Sequence, residues 1–208
     1  LDAANPRTGN TNGHIIRWKE KGGQAGTSFE WDVYLFGARE DGKQSENLSG
    51  LTAVNDFSSP DGLYFDQRNG QTDGLLWIQT DDGAYTDVTN CMMLAALPGH
   101  VGDGGKIKTR EGQETIMGAK PTDANVRRFL VGPPECEITG VVVTPDGKTL
   151  FFNVQHPGED KGDFTTNTFT SHWPGNQAPA SDTAHAGHKR PRSATVVVTR
   201  TDGGTIGI

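Results

Sequence analysis

Few cysteines, no long apolar run and no basic excess bound this chain before any motif is read. Only Cys91 and Cys136 occur in 208 residues, and neither belongs to the Cys-x-x-Cys spacing that zinc sites and thiol exchange use. No stretch approaches the ~18 consecutive apolar residues of a membrane span, and Leu1 onward carries no basic region followed by an apolar one. Lys and Arg number 19 against 26 Asp and Glu, a net charge of −7. Affinity for a phosphate backbone comes mainly from Lys and Arg, so nucleic acid is not an expected partner. Gly-x-Ser-x-Gly, the P-loop, Gly-x-Gly-x-x-Gly after a strand and His-Glu-x-x-His are all missing. Common serine-hydrolase, nucleotide and zinc-protease chemistries are thereby disfavoured. Helical periodicity is almost absent too; Cys91–Leu97 is the best candidate and reads equally well as a strand.

What the chain has in quantity is turn chemistry. Its 28 glycines are close to twice the usual ~7%. Asp-Gly pairs stand at Asp41, Asp61, Asp73, Asp82, Asp103, Asp146 and Asp202, with Asn-Gly at Asn12 and Asn69. These dipeptides readily take the positive φ of tight turns. Between them lie short runs rich in β-branched and aromatic residues: His14–Trp18, Glu30–Phe36, Leu63–Asp66, Leu75–Thr80, Val126–Val131, Thr139–Thr144, Thr149–Gln155 and Ala194–Arg200. That spacing predicts an all-β, antiparallel fold. A unit repeats within it. Asp61-Gly-Leu-Tyr-Phe-Asp with Leu76-Trp-Ile-Gln-Thr corresponds to Thr139-Gly-Val-Val-Val-Thr, a Pro145-Asp-Gly turn, and Leu150-Phe-Phe-Asn-Val-Gln. Strand–turn–strand units about one blade apart predict a β-propeller. The Gly-rich stretches at about 98–124 and 158–191 account for the extra spacing, the first lying between outer strands.

Propeller geometry converts the repeat into a site. Two antiparallel strands reverse direction twice, so the loop into a unit and the loop out of it share one end. Asp61 and Glu137 on the way in should therefore meet Asp81, Asp82 and His156 on the way out, around one mouth of the channel. Packed carboxylates repel and raise one another's pKa, and Ca²⁺, which takes 6–8 oxygen ligands, relieves both effects. Asp61 and Glu137 are the candidate metal ligands, against plain readings as a turn aspartate and a solvated loop acid. His156 and Asp82 are candidates for an outer or substrate-facing role, against readings as a loop hydrogen bond and a turn residue. His172, His185 and His188 have no ligand spacing.

Several segments taken together resemble the C-terminal part of PhoX-type alkaline phosphatases. They are Asp2-Ala-Ala-Asn-Pro-Arg, Gly13-His-Ile-Ile-Arg-Trp, Phe57-Ser-Ser-Pro-Asp-Gly-Leu-Tyr-Phe-Asp, Trp77-Ile-Gln-Thr-Asp, Arg127-Arg-Phe-Leu-Val-Gly-Pro, Cys136-Glu-Ile-Thr-Gly, Asn153-Val-Gln-His-Pro-Gly-Glu, Ser171-His-Trp-Pro and Arg192-Ser-Ala-Thr-Val-Val-Val. The resemblance implies a six-bladed propeller, of which residues 1–208 form the C-terminal portion of a single domain covering two to three blades. It implies Fe³⁺ and Ca²⁺ in the channel, hydrolysis of small-molecule phosphate monoesters, and export to the periplasm or beyond. Asp61 matches a position carried over as a calcium ligand, and Glu137 lies in a conspicuous family motif. Family members are far longer. Their N-terminal portion, a partner this segment needs, supplies most iron ligands, including a thiolate to which Cys136 does not correspond. A calcium-dependent propeller lactonase or esterase, and a non-catalytic propeller segment that binds a partner, are the alternatives.

Overall fold

The computed structural model describes residues 1–68, 74–81, 83–85, 88–163, 165–166, 168–175 and 190–207. Eleven strands occur in order among them: β1 His14–Lys21, β2 Ser28–Phe36, β3 Pro60–Asp66, β4 Leu75–Thr80, β5 Met92–Ala96, β6 Gly105–Lys108, β7 Glu114–Met117, β8 Val126–Val131, β9 Glu137–Val143, β10 Thr149–Gln155 and β11 Ala194–Thr199. The described residues contain no α-helix. The eight sequence-predicted strands are all present, and Cys91–Leu97 resolves into strand β5.

The strands form three sheets, ordered β1-β2-β7-β6, β3-β4-β5-β8 and β11-β10-β9. All pairings are antiparallel except β2 with β7, which meet in parallel at Val33 and Met117. The repeated sequence unit corresponds to β3–β4 of the second sheet and β9–β10 of the third. The 98–124 stretch, inserted between β5 and β8, carries the β6–β7 hairpin, which completes the first sheet.

The second sheet is the middle layer. Ile78, Met92, Leu94 and Ala96 pack toward Ile15, Tyr34 and Leu35 of the first sheet. Leu75, Trp77 and Met93 pack toward Ile138, Leu150, Phe152 and Val154 of the third. A strand buried on both faces needs no polar alternation, which is why Leu75-Leu-Trp-Ile and Met92-Met-Leu-Ala-Ala read as unbroken apolar runs. The third sheet instead alternates. Leu150, Phe152 and Val154 point inward, whereas Val142 and Val197, both paired with Phe151, remain about half exposed on the far side.

Candidate functional site

Strand register determines which side chains meet at the end of the second and third sheets where β3 and β9 begin. Pro60 pairs with Thr80, and Glu137 pairs with Gln155. Asp61 thus follows the first of these positions, Asp81 the second and His156 the fourth. The ladder runs on past β4, because the Asp81 amide donates to the Ser59 carbonyl at 3.2 Å. Asp61 itself lies within β3 rather than in a turn. The pairing slips between Pro60 and Leu63, so Asp61-Gly62 forms a bulge that re-aims the carboxylate.

Asp61, Asp81, Glu137 and His156 come together there. The Glu137 side chain is 11% exposed, and the His156 Nε2 stands 3.7 Å from its Oε2. Burial raises the Glu137 pKa, and the charges of Asp81 and Asp61, with a hydrogen bond to Asp61, raise it further, while His156 opposes them. The His156 Nδ1 lies 3.0 Å from Glu159 Oε1 but is not aligned for a hydrogen bond, and it is buried without a partner. Among the described residues, no lysine or arginine pairs with Asp61, Asp81 or Glu137. Nor do three His, Cys, Asp or Glu side chains there close on one point as a ready metal cage. Asp82, the remaining candidate, lies outside the described residues.

The backbone around the cluster is unusual. Ser59, Glu135 and His156 are the non-glycine residues with positive φ among the described residues, at 49°, 53° and 36°. All three border this mouth. Such conformations cost on the order of 1–3 kcal/mol each and persist only where the surroundings enforce them. Here the enforcement is visible. The Ser59 amide donates to the Asn12 carbonyl at 2.9 Å. Gly13 takes φ 67°, where a side chain is strained, and an added Cβ would sit 3.1 Å from the Pro60 ring. The buried Arg7 guanidinium holds that neighbourhood, donating to the carbonyls of Gly37, Glu46 and Gly13 at 2.6–2.8 Å and to the Asn10 side chain. The Glu135 carboxylate accepts from Asp160 N at 3.1 Å, Lys161 N at 3.4 Å and Thr170 Oγ1, drawing that loop against the mouth. Tyr85, beyond Asp81, donates to Asp56, which also takes Arg128. Sequence reading gave no role to Arg7, Glu135 or Tyr85, although Arg7 ends one of the family-like segments and Glu135 directly precedes another.

Both cysteines are buried and neither is in a disulfide. Burial, followed by the proximity of Cys91, pushes the Cys136 thiol up to about 12. Cys136 packs in the apolar cluster that holds Cys91, Met93 and Ile138. Three carboxylates are of the hard-oxygen class calcium takes, and the raised Glu137 is the signature of a site short of positive charge. In number they fall short of the 6–8 oxygens calcium seeks.

A family model described as alkaline phosphatase PhoX matches residues 1–158. Among solved structures, Pseudomonas fluorescens PhoX in complex with vanadate, a transition state analogue, aligns with a TM-score of 0.69 at 33% identity. The alignment covers 98% of this chain and 29% of that one, so this chain spans under a third of the length of the protein it matches. No curated protein sequence matches the chain.

Proposed function

This chain belongs to the PhoX alkaline phosphatase family, and from that premise we propose that it forms part of a metal-dependent phosphatase hydrolysing phosphate monoesters. The observation that carries the reading is the meeting of Asp61, Asp81, Glu137 and His156 at one end of two adjacent sheets. Asp61 and Glu137 would hold calcium, with Asp81 beside them. A cation held there would supply neutralisation of the crowded carboxylates and polarisation of a phosphoryl oxygen. Remaining calcium oxygens, and ligands for iron, come from elsewhere in the full-length protein, water or the ester. The chain's own residues do the rest. A hydrogen bond joins Glu137 to Asp61, and His156, 3.7 Å from Glu137, is the group placed to give or take a proton. Glu135, Ser59 and Arg7 hold these groups in place. Substrates of this kind are small phosphate esters, and export to the periplasm or beyond belongs to the same reading.

The test is release of phosphate from p-nitrophenyl phosphate by the full-length gene product. Turnover that is lost on calcium chelation and restored by calcium supports the proposal. No phosphate release, with turnover of a lactone or carboxylic ester instead, would replace it with the esterase alternative.

A further inference from the structure

Beneath the acidic cluster lies a buried group that neither packing nor charge explains. Gln79 is 2% exposed, and its amide nitrogen is buried with no hydrogen-bond partner. A buried donor left unpaired works against folding and calls for an acceptor, which the described residues do not supply. Side chains alternate along β4, so Leu75, Trp77 and Gln79 share the face turned to the third sheet, and Asp81 extends it. Strand β9 packs against that face, with Ile138 in one cluster with Leu75 and Trp77. A Cβ added to Gly62 would lie 2.6 Å from Gln79 Oε1 and 3.3 Å from its Cβ and Cδ. The amide oxygen therefore faces the β3 backbone beside Asp61, and the nitrogen lies farther from that backbone, on the face of β4 that Asp81 extends.

We propose that Gln79 is a substrate-contacting residue whose Nε2 donates a hydrogen bond to a phosphoryl oxygen of the ester bound in the mouth. The inference rests on the phosphatase reading of that same site. Ionised carboxylates accept hydrogen bonds and cannot donate them, whereas every phosphoryl oxygen is an acceptor. A lysine or arginine here would be cancelled by Asp61, Asp81 and Glu137 and would compete with a cation. A neutral amide supplies a donor without either effect. Glycine at position 62 is what lets the amide lie flat at this depth.

The test uses the full-length gene product carrying Gln79→Met, which keeps length and packing but has no donor, and Gln79→Glu, which keeps shape and offers an acceptor. The readouts are the KM for p-nitrophenyl phosphate, the inhibition constant of inorganic phosphate, the calcium concentration giving half-maximal activity, and the melting temperature. Loss of a hydrogen bond to a charged group raises KM and the phosphate inhibition constant about tenfold in Gln79→Met. Gln79→Glu raises both further, and its deficit eases as pH falls and the new carboxyl takes up a proton. Calcium requirement stays within about twofold in Gln79→Met, which changes no charge. Phosphate constants unchanged within about twofold would overturn the inference. So would a shifted calcium requirement with unchanged phosphate affinity, which would make Gln79 an oxygen ligand of the cation. If Gln79→Met fails to fold, Gln79→Glu, which can still lie over Gly62, carries the test. An unmutated protein that releases no phosphate defeats the phosphatase reading and this inference with it. An active protein indifferent to Gln79 defeats the inference alone.

Discussion

The interface between the second and third sheets has two ends made from the same four strands, and electrostatically they are opposites. At the far end, Asp66 pairs with Arg68 at 2.8 Å, both side chains about nine-tenths buried. Asp146 accepts from Thr144 Oγ1 at 2.6 Å and Lys148 N at 3.1 Å, bonds that hold its pKa low. These residues border a polar cavity of about 610 Å³. At the mouth, Glu137 is instead pushed up by burial and by Asp81 and Asp61. Backbone follows the same division. The far end turns through Gly147 at φ 69°, where glycine pays no steric penalty, while the mouth uses Ser59, Glu135 and His156. The fold is thus able to satisfy its acids. Crowding them at one end alone is a property of the site and not of the scaffold.

The largest expected consequence separates the two ends by activity. In the full-length protein, Asp61→Asn removes a charge at the proposed cation site and should lower phosphatase turnover by about a hundredfold and raise the calcium requirement. Asp66→Asn should leave turnover within about twofold and lower stability by about 1–3 kcal/mol, because Arg68 loses a charge-assisted bond in a buried setting. Steady-state kinetics and urea titration of both variants check this. Equal activity losses at the two ends would erase the distinction.

Much of that distinction was legible in the sequence because register is. Once Asp61-Gly-Leu-Tyr-Phe and Thr139-Gly-Val-Val-Val are seen as one unit, strand alternation brings Asp61, Asp81, Glu137 and His156 to one end without further information. Three things were not legible. The Asp-Gly pair at Asp61 reads as a turn, since a β-bulge has no separate sequence signature from a tight turn. Strand β5 is buried on both faces, so no period tells it from a helix. Arg7, Glu135 and Tyr85 act through contacts distant in sequence, Arg7 to Gly37 and Glu46 and Tyr85 to Asp56, and local pattern does not encode such partners. The role of the β6–β7 hairpin is of the same kind, because its pairing with β2 spans more than 80 residues.

A smaller effect should appear in stability against pH. Glu137 is raised in the folded chain, so the native state holds its proton more tightly than the unfolded chain. Without metal, this residue's contribution is best in acid and is lost as pH climbs from the ordinary glutamate value of ~4.3 through the raised one. Glu137→Gln removes the liability. In chelator at neutral pH the variant should melt about 2–4 °C above the unmutated protein, with the gap closing near pH 4. Calcium should reverse the order by stabilising only the protein that keeps the carboxylate. Differential scanning at several pH values measures this, and a gap independent of pH would mean that Glu137 is not held against its charge.

Two glycines sharpen the comparison further. Gly147→Ala forces φ 69° on a residue with a Cβ, which would also lie 2.6 Å from the Thr205 methyl, so a stability loss of about 1–2 kcal/mol is expected with kinetics unchanged. Gly62→Ala meets the Gln79 side chain alone, its Oε1 at 2.6 Å and its Cβ and Cδ at 3.3 Å, with no backbone atom among the nearest contacts. It should cost little stability but displace that amide and raise KM about three- to tenfold. Paired melting and kinetic measurements would show the far end answering in stability and the mouth in substrate binding.

The smallest expected effect concerns Cys136, next to Glu137. Burial is the main reason its thiol is pushed up to about 12, and Glu137 and Asp81 add to it. Only the thiolate reacts with an alkylating agent, and with the pKa raised the thiolate appears only as pH approaches that value. At pH 8 the folded protein should label at least about a hundredfold more slowly than the same protein in denaturant, where the thiol returns to ~8.5. Because burial dominates, calcium should alter the folded rate by less than about threefold, even though it neutralises the carboxylates nearby. Timed iodoacetamide labelling read by peptide mass measures both rates. Rapid labelling of Cys136 in the folded state, accompanied by loss of activity, would mean that the mouth carries an ionised thiol, and the contrast between a charge-starved mouth and a satisfied far end would have to be redrawn around sulfur.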